Sequence, residues 1–165
     1  MRHPQRIEPG PGQESVWDYP RPPVMDPSDE HVVVRHRGAV VADTRRSVRV
    51  LETSQPPAYY LPPDDVDMAL LVPSTRQSFC EWKGVASYFD VVVGDVTTPA
   101  AAWTYRDPVP DFAAIAGYVA FYAQLLDECV VDGERVSPNE GSFYGGWVTS
   151  RVVGPFKGGA GTAGW

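Results

Sequence analysis

Phe79-Cys80-Glu81-Trp82-Lys83-Gly84-Val85-Ala86-Ser87-Tyr88-Phe89-Asp90 places a thiol, an ammonium, carboxylates and aromatic rings in one short stretch. Lys83-Gly84 interrupts two apolar runs. The backbone is therefore expected to turn there, to present Cys80, Trp82 and Lys83 together, and to enter a strand near Val85. Val85 to Val93 and Ala100 to Tyr105 flank Gly94-Asp95, which reads as a long hairpin or meander with Trp103 and Tyr105 two apart on one face.

The same pattern extends in both directions. His31 to His36 and Ala39 to Asp43 are β-branched runs joined at Arg37-Gly38, a hairpin spacing, and Ser47 to Glu52 alternates Val48, Val50 and Glu52 against Arg49 and Leu51. Tyr59-Tyr60-Leu61 resumes strand character between proline pairs, and Asp64 or Asp65 is expected to cap one or two helical turns through Leu71. After Pro110-Asp111 an Ala-rich stretch reads as a helical turn and Tyr118 to Tyr122 as a strand; a single amphipathic helix over Phe112 to Leu126 is the alternative. Asp132-Gly133 between Cys129 and Val136 is a strong hairpin signal. Trp147 to Val153 reads as a last strand, and Gly154 to Trp165 as an irregular segment laid over the body.

Pro 17 and Gly 15 make up about a fifth of the 165 residues, with 12% aromatic residues; short strands linked by turns are favoured over long helices. The length suits one domain with a core of its own. Residues 1–15, charged and rich in proline and glycine, are expected to form a disordered tail, and residues 16–165 a single β domain. That domain begins with an aromatic arm, in which Trp17 and Tyr19 share one side of an extended segment, and ends in a Gly- and Trp-rich segment.

A net charge of -7 disfavours nucleic acid as a partner. Cys80 and Cys129 form no CxxC pair and have no His spacing that completes a zinc site, so no metal and no cofactor is expected. The opening residues lack an apolar signal core, and no run of about 18 apolar residues exists. A soluble, cytoplasmic protein without membrane contact is the expectation, with homo-oligomerisation left open.

Several phrases together resemble one bacterial family. They are Leu51-Glu52-Thr53 followed by Pro-Pro-Ala-Tyr-Tyr-Leu-Pro-Pro-Asp-Asp-Val, then Phe-Cys-Glu-Trp-Lys-Gly-Val-Ala-Ser-Tyr, then Ala-Ala-Trp-Thr-Tyr with Pro108, and Tyr118-Val-Ala-Phe-Tyr. The chain is similar, over His31 to about Val136, to the family catalogued as domain of unknown function 427 and also labelled nucleotidyltransferase-like. The resemblance extends through the Gly-Gly-Trp and Gly-Pro-Phe-Lys-Gly phrases to Trp165. It implies a zinc-free, single-domain β-tent (Mss4-like) fold of antiparallel sheets with one or two short helices, the type shared by methionine sulfoxide reductase B and the thalidomide-binding domain of cereblon. It implies no established activity. The nucleotidyltransferase label finds little support in the residues: Gly141-Ser142 has no nearby Asp-x-Asp, and Asp65-Val66-Asp67 has no phosphate loop before it. In Gly-Pro-Phe-Lys-Gly-Gly-Ala-Gly-Thr the lysine precedes the glycine pair and does not adjoin the threonine.

Candidate catalytic groups are Glu52, Cys80 and Lys83. Cys80 could act as a nucleophile if Lys83 stabilises its thiolate, or could be a small buried hydrophobe. Lys83 could face a ligand's charge, rest on a ring, or sit exposed in a turn. Glu52, at a strand end beside aromatic residues, suits general acid or base work, an ion pair with Lys83, or a place on the surface. Tyr60, Trp82, Trp103 and Tyr105 are candidate ligand-binding rings. Only one of Tyr59 and Tyr60, and one of Tyr88 and Phe89, is expected to face inward. Three functions follow: an aromatic-lined pocket for a small molecule of unknown identity, an enzyme using Cys80 as nucleophile or redox thiol, and a non-catalytic protein that oligomerises or binds a partner through its C-terminal segment.

Overall fold

A computed structural model describes residues 4–141 and 144–165. Met1 to His3 of the expected tail, and Ser142 and Phe143 of the C-terminal region, lie outside the described residues. The strands are β1 (Glu14–Ser15), β2 (Val24–Ser28), β3 (Val32–His36), β4 (Ala39–Thr44), β5 (Ser47–Leu51), β6 (Ala58–Tyr60), β7 (Leu71–Cys80), β8 (Gly84–Val93), β9 (Val96–Thr104), β10 (Val119–Phe121), β11 (Glu128–Val131), β12 (Glu134–Arg135), β13 (Ser137–Pro138), β14 (Trp147–Val148) and β15 (Val152–Val153). Short 3-10 turns are the helical elements among the described residues.

Antiparallel pairing gives one sheet in the order β12-β11-β3-β4, a second in the order β2-β5-β6, and a third in the order β10-β9-β8-β7. The second and third are tied together just past β6, where the Leu61 N–H donates to the Val119 carbonyl at 2.8 Å and the Val119 N–H returns to Leu61 at 2.9 Å. The turns Arg37-Gly38 and Asp132-Gly133 have positive φ at both residues, as two-residue hairpin turns require.

The joined sheet is covered on both faces. Tyr59, Leu61, Phe89, Val91, Ala102, Val119 and Phe121 point one way and pack with Val32, Val34, Val41, Cys129 and Val131 of the β3–β11 sheet, closed by Trp147. Val48, Val50, Tyr60, Ala86, Tyr88, Trp103, Ala120 and Tyr122 point the other way and form a second cluster with Tyr105, Phe112 and Ile115. This corrects the expectation for the tyrosine pairs: Tyr59 and Tyr60 do alternate, as do Tyr88 and Phe89, yet all four are buried because each side of the sheet has its own core.

Other segments differ from the sequence reading. Pro63–Asp65 and Met68–Leu70 form two separate 3-10 turns, and the Asp65 carboxylate caps neither, because it accepts from Thr44 at 2.7 Å and from Arg46 at 3.0 Å. The single helix considered over 112–126 does not form: a 3-10 segment at Pro110–Ile115, Gly117 at positive φ, and strand β10 divide it. The last strand is two short pieces, β14 paired with β13 and β15 paired in parallel with β1. Val16–Asp18 forms a 3-10 turn in place of the expected extended arm. From there the Trp17 indole donates to the Pro155 carbonyl at 2.9 Å, and upstream the Ile7 N–H donates to Gly154 at 3.0 Å. Within residues 4–15, expected from composition to be tail, Ile7, Gln13 and Glu14 donate hydrogen bonds to the carbonyls of Gly154, Ser150 and Arg151.

Candidate functional site

The β7–β8 hairpin sets the site. Phe79 pairs with Val85 and Cys80 with Gly84, leaving Glu81, Trp82 and Lys83 as the turn. Strand alternation then sends Phe79 out to solvent while Ser78 and Cys80 face the second cluster. The Val109 N–H donates to the Lys83 carbonyl at 2.9 Å and anchors the turn to the segment after β9, which folds the lysine side chain inward. Only 8% of Lys83 remains exposed.

Beneath this turn lies a cavity of about 390 Å³ between the two halves of the joined sheet. Val50, Glu52, Ala58 and Tyr60 line it from the β5–β6 side, and Ser78, Cys80, Ala86 and Tyr88 from the β7–β8 side. Trp82, Lys83, Trp103, Tyr105 and Tyr122 complete most of the wall. All seven residues singled out from the sequence, Glu52, Tyr60, Cys80, Trp82, Lys83, Trp103 and Tyr105, thus meet at one space.

The rings hold one another in place. Trp103 donates its indole N–H to the Tyr60 hydroxyl at 3.2 Å, with the two rings nearly perpendicular. Trp103 also lies 4.6 Å from the Tyr122 ring, and Tyr122 stacks at 6.5 Å on Tyr88, whose hydroxyl is 2.9 Å from Ser78 Oγ. Fixed rings with few rotamers keep an apolar wall open at low entropic cost. Burial pushes the Tyr60 hydroxyl well up, and burial followed by the neighbouring Tyr60 does the same to Tyr105, so both remain neutral donors at neutral pH.

Lys83 Nζ sits 5.6 Å from the Tyr105 ring centre and 6.0 Å from that of Phe112. Burial opposes its charge and is the largest single influence. Tyr60, Cys80, which hydrogen-bonds the amine, and Glu52 together outweigh it, and the net shift is upward. The side chain is therefore a cation at neutral pH. Of the alternatives for Glu52, the ion pair with Lys83 does not form: Glu52 pairs with Arg21 at 3.4 Å and accepts from Gln55 at 3.0 Å. The arm carrying Arg21 has taken the carboxylate's nearest positive partner role.

Cys80 is half-buried at the cavity wall, and no histidine lines the cavity among the described residues. Cys129 lies in the packed core, where burial pushes its thiol up to about 12. Among the described residues no group of three His, Cys, Asp or Glu side chains is arranged to hold a metal ion, and no helix is long and apolar enough to cross a membrane.

Sequence reasoning missed part of the wall. Tyr144, Gly145, Gly146 and Lys157 reach the cavity from the C-terminal region, with the Lys157 amine 5.3 Å from the Tyr144 ring. No local pattern links them to the β7–β8 turn. A side chain at Gly145 would run into the Trp103 ring and one at Gly146 into Pro56, so close approach of the backbone requires glycine at both.

Shape and chemistry define a mainly β protein with an aromatic-walled cavity on one face of its joined sheet. Residues 24–132 match the family model described as "Domain of unknown function (DUF427)", and the chain belongs to that family. No curated protein matches the chain. The match spans β2 to the β11–β12 turn, which covers most of the wall and leaves Tyr144, Gly145, Gly146 and Lys157 beyond it.

Proposed function

We propose that the cavity is the binding site of a small, planar molecule, whether the protein only binds it or also acts on it. The observation that carries this reading is the cavity of about 390 Å³ walled by Trp103, Tyr60, Tyr105 and Tyr88, with Lys83, Cys80 and Glu52 as its polar points. Ligand sites in general are concave, mostly apolar spaces of about 300–1,000 Å³ with a few convergent polar groups. The rings present flat faces that a planar ligand can stack on. The β-tent assignment is part of the same proposal, supported by the family resemblance and by two sheet halves meeting at the Leu61–Val119 bridge with the site between them.

The test is saturation-transfer NMR on the full chain with three bicyclic aromatic probes, one neutral, one anionic and one cationic. At least one is expected to saturate a single site and to be weakened about tenfold or more by Trp103→Ala, since truncating a hot-spot aromatic residue costs about 2 kcal/mol or more. Saturation by none of the three, with wild-type protein folded, would sink the reading.

A further inference from the structure

We infer that the ligand carries a carboxylate and that Lys83 is its counter-charge. This rests on the reading of the cavity as a small-molecule site. Lys83 is only 8% exposed as a residue, and an ammonium withdrawn from bulk water is best stabilised by an anion and hydrogen-bond acceptors that take the water's place. Among the described residues no ion pair takes the water's place, and the charge is held by weaker and longer-range contacts. The Tyr105 and Phe112 faces at 5.6 and 6.0 Å provide cation–π attraction, Cys80 supplies a weak sulfur acceptor, and Glu52 acts through its charge from beyond ion-pair distance.

No carboxylate among the described residues forms an ion pair with Lys83, although two others line the cavity. Glu52 is engaged by Arg21 and Gln55, and Glu81, at the cavity edge, is exposed in the turn itself. Arg49 shows what this chain does with a buried cation that has no ligand to meet. It is 1% exposed and holds Glu14 at 3.0 and 3.2 Å and Asp26 at 2.6 and 3.2 Å. Lys83 has been given aromatic walls and open space in place of carboxylates. Lys83 and Lys157 line the cavity together with Glu52 and Glu81, a balance that favours a single negative charge, a carboxylate, over a phosphate dianion; Lys157, half-buried, adds long-range attraction for an anion entering.

Calorimetry on the full chain with naphthoate, naphthamide and naphthyl phosphate separates the outcomes. The first two share size and shape and differ in charge. Naphthoate is expected to bind at least about tenfold more tightly than naphthamide, as a desolvated charge pair should, and more tightly than naphthyl phosphate. Lys83→Met is expected to bring the naphthoate and naphthamide affinities together, and to leave the unliganded protein no less heat-stable than wild type. Equal binding of the acid and the amide to wild type, or binding of neither while the cationic bicyclic probe still saturates the site, would overturn the inference while the cavity reading stands; the cavity reading falls with it only if no probe of any charge binds. Tighter binding of the phosphate would overturn the assignment to a carboxylate. Persistence of the acid's preference in Lys83→Met would remove Lys83 from the role. Should Lys83→Met fail to fold, Glu52→Gln serves: loss of a competing negative charge is expected to raise the preference for naphthoate over naphthamide, and a lowered preference would overturn the inference.

Discussion

Arg49 and Lys83 are the two buried Lys or Arg side chains among the described residues, and they lie on opposite faces of the same joined sheet. Arg49 sits opposite Tyr59 on β5, on the side packed against the β3–β11 sheet, and is enclosed by two carboxylates. Glu14 extends that network to Tyr19 at 2.8 Å and to Arg151 at 3.2 Å, and Arg151 in turn pairs with Glu30 at 2.9 Å. The network thus fastens β1, β2, β5 and the C-terminal region to one another. Lys83 is surrounded by rings and a cavity. One face has its charges matched by ion pairs within the chain; on the other, Lys83 lines the cavity with no ion-pair partner among the described residues. Charge matching belongs to the architecture of the first face; on the second, the proposed carboxylate ligand would supply the missing match.

The two faces also differ in how completely they are packed, and truncating a tryptophan on each would expose this most strongly. Trp147 is almost fully enclosed, stacks on Tyr59 at 5.2 Å and donates to the Phe121 carbonyl at 2.9 Å. Trp147→Ala is expected to lower unfolding free energy by about 4 kcal/mol, since it removes a large buried ring, leaves a void and strands an acceptor. Trp103 already borders open volume, so Trp103→Ala enlarges a space that water can enter and should cost at least about 1 kcal/mol less. Denaturant titration measures both. Equal losses would mean that the cavity face is as tightly packed as the core face.

Removing the charge itself comes next in size. Arg49→Met leaves Glu14 and Asp26 facing an apolar side chain, and is expected to cost about 3 kcal/mol, at the low end for breaking a buried pair because both carboxylates keep some contact with water. Lys83→Met should cost nothing comparable in the absence of ligand. A loss of similar size at both positions would erase the contrast on which the anion site rests.

Much of this architecture could be read from the sequence because hairpins are local. Arg37-Gly38, Gly94-Asp95 and Asp132-Gly133 fix three turns, and the flanking β-branched runs give the strands on either side. Strand β7 escaped, because it is an edge strand whose outward residues, Val72, Thr75 and Phe79 among them, are exposed, and Pro73 with the irregular register to Gln77 breaks its alternation. The β7–β8 turn brought Cys80, Trp82 and Lys83 together within a few residues, so that corner of the site was legible. Arg49 was not: alternation marked only that it opposes Val48 and Val50, and its partners Glu14 and Asp26 come from segments 35 and 23 residues away. Tyr144, Gly145 and Lys157 are farther still, and long-range placement of this kind leaves no periodic trace.

The smallest effect tests whether the Arg49 network acts through charge. Burial works against ionisation of Glu14, but the hydrogen bonds from Arg49 and Tyr19 and the charges of Arg49 and Arg151 prevail and hold its carboxyl below the ordinary range. A carboxyl whose pKa is depressed by folding stabilises the protein above its unfolded value, roughly 4.3, and loses that contribution as pH falls through the folded value. Glu14→Gln keeps the side chain's shape and much of its hydrogen bonding. It is expected to lower stability by about 1 kcal/mol at pH 7, a modest figure because the carboxylate is partly solvated and its charge screened. The gap between wild type and variant, followed by urea unfolding across the acid range, should be constant above about pH 5 and close on acidification below about pH 4. A gap that persisted unchanged into acid would mean that Glu14 holds the arm by packing and neutral hydrogen bonds. Arg49 would then be balanced by Asp26 alone, and the difference between the two buried cations would narrow to a single carboxylate.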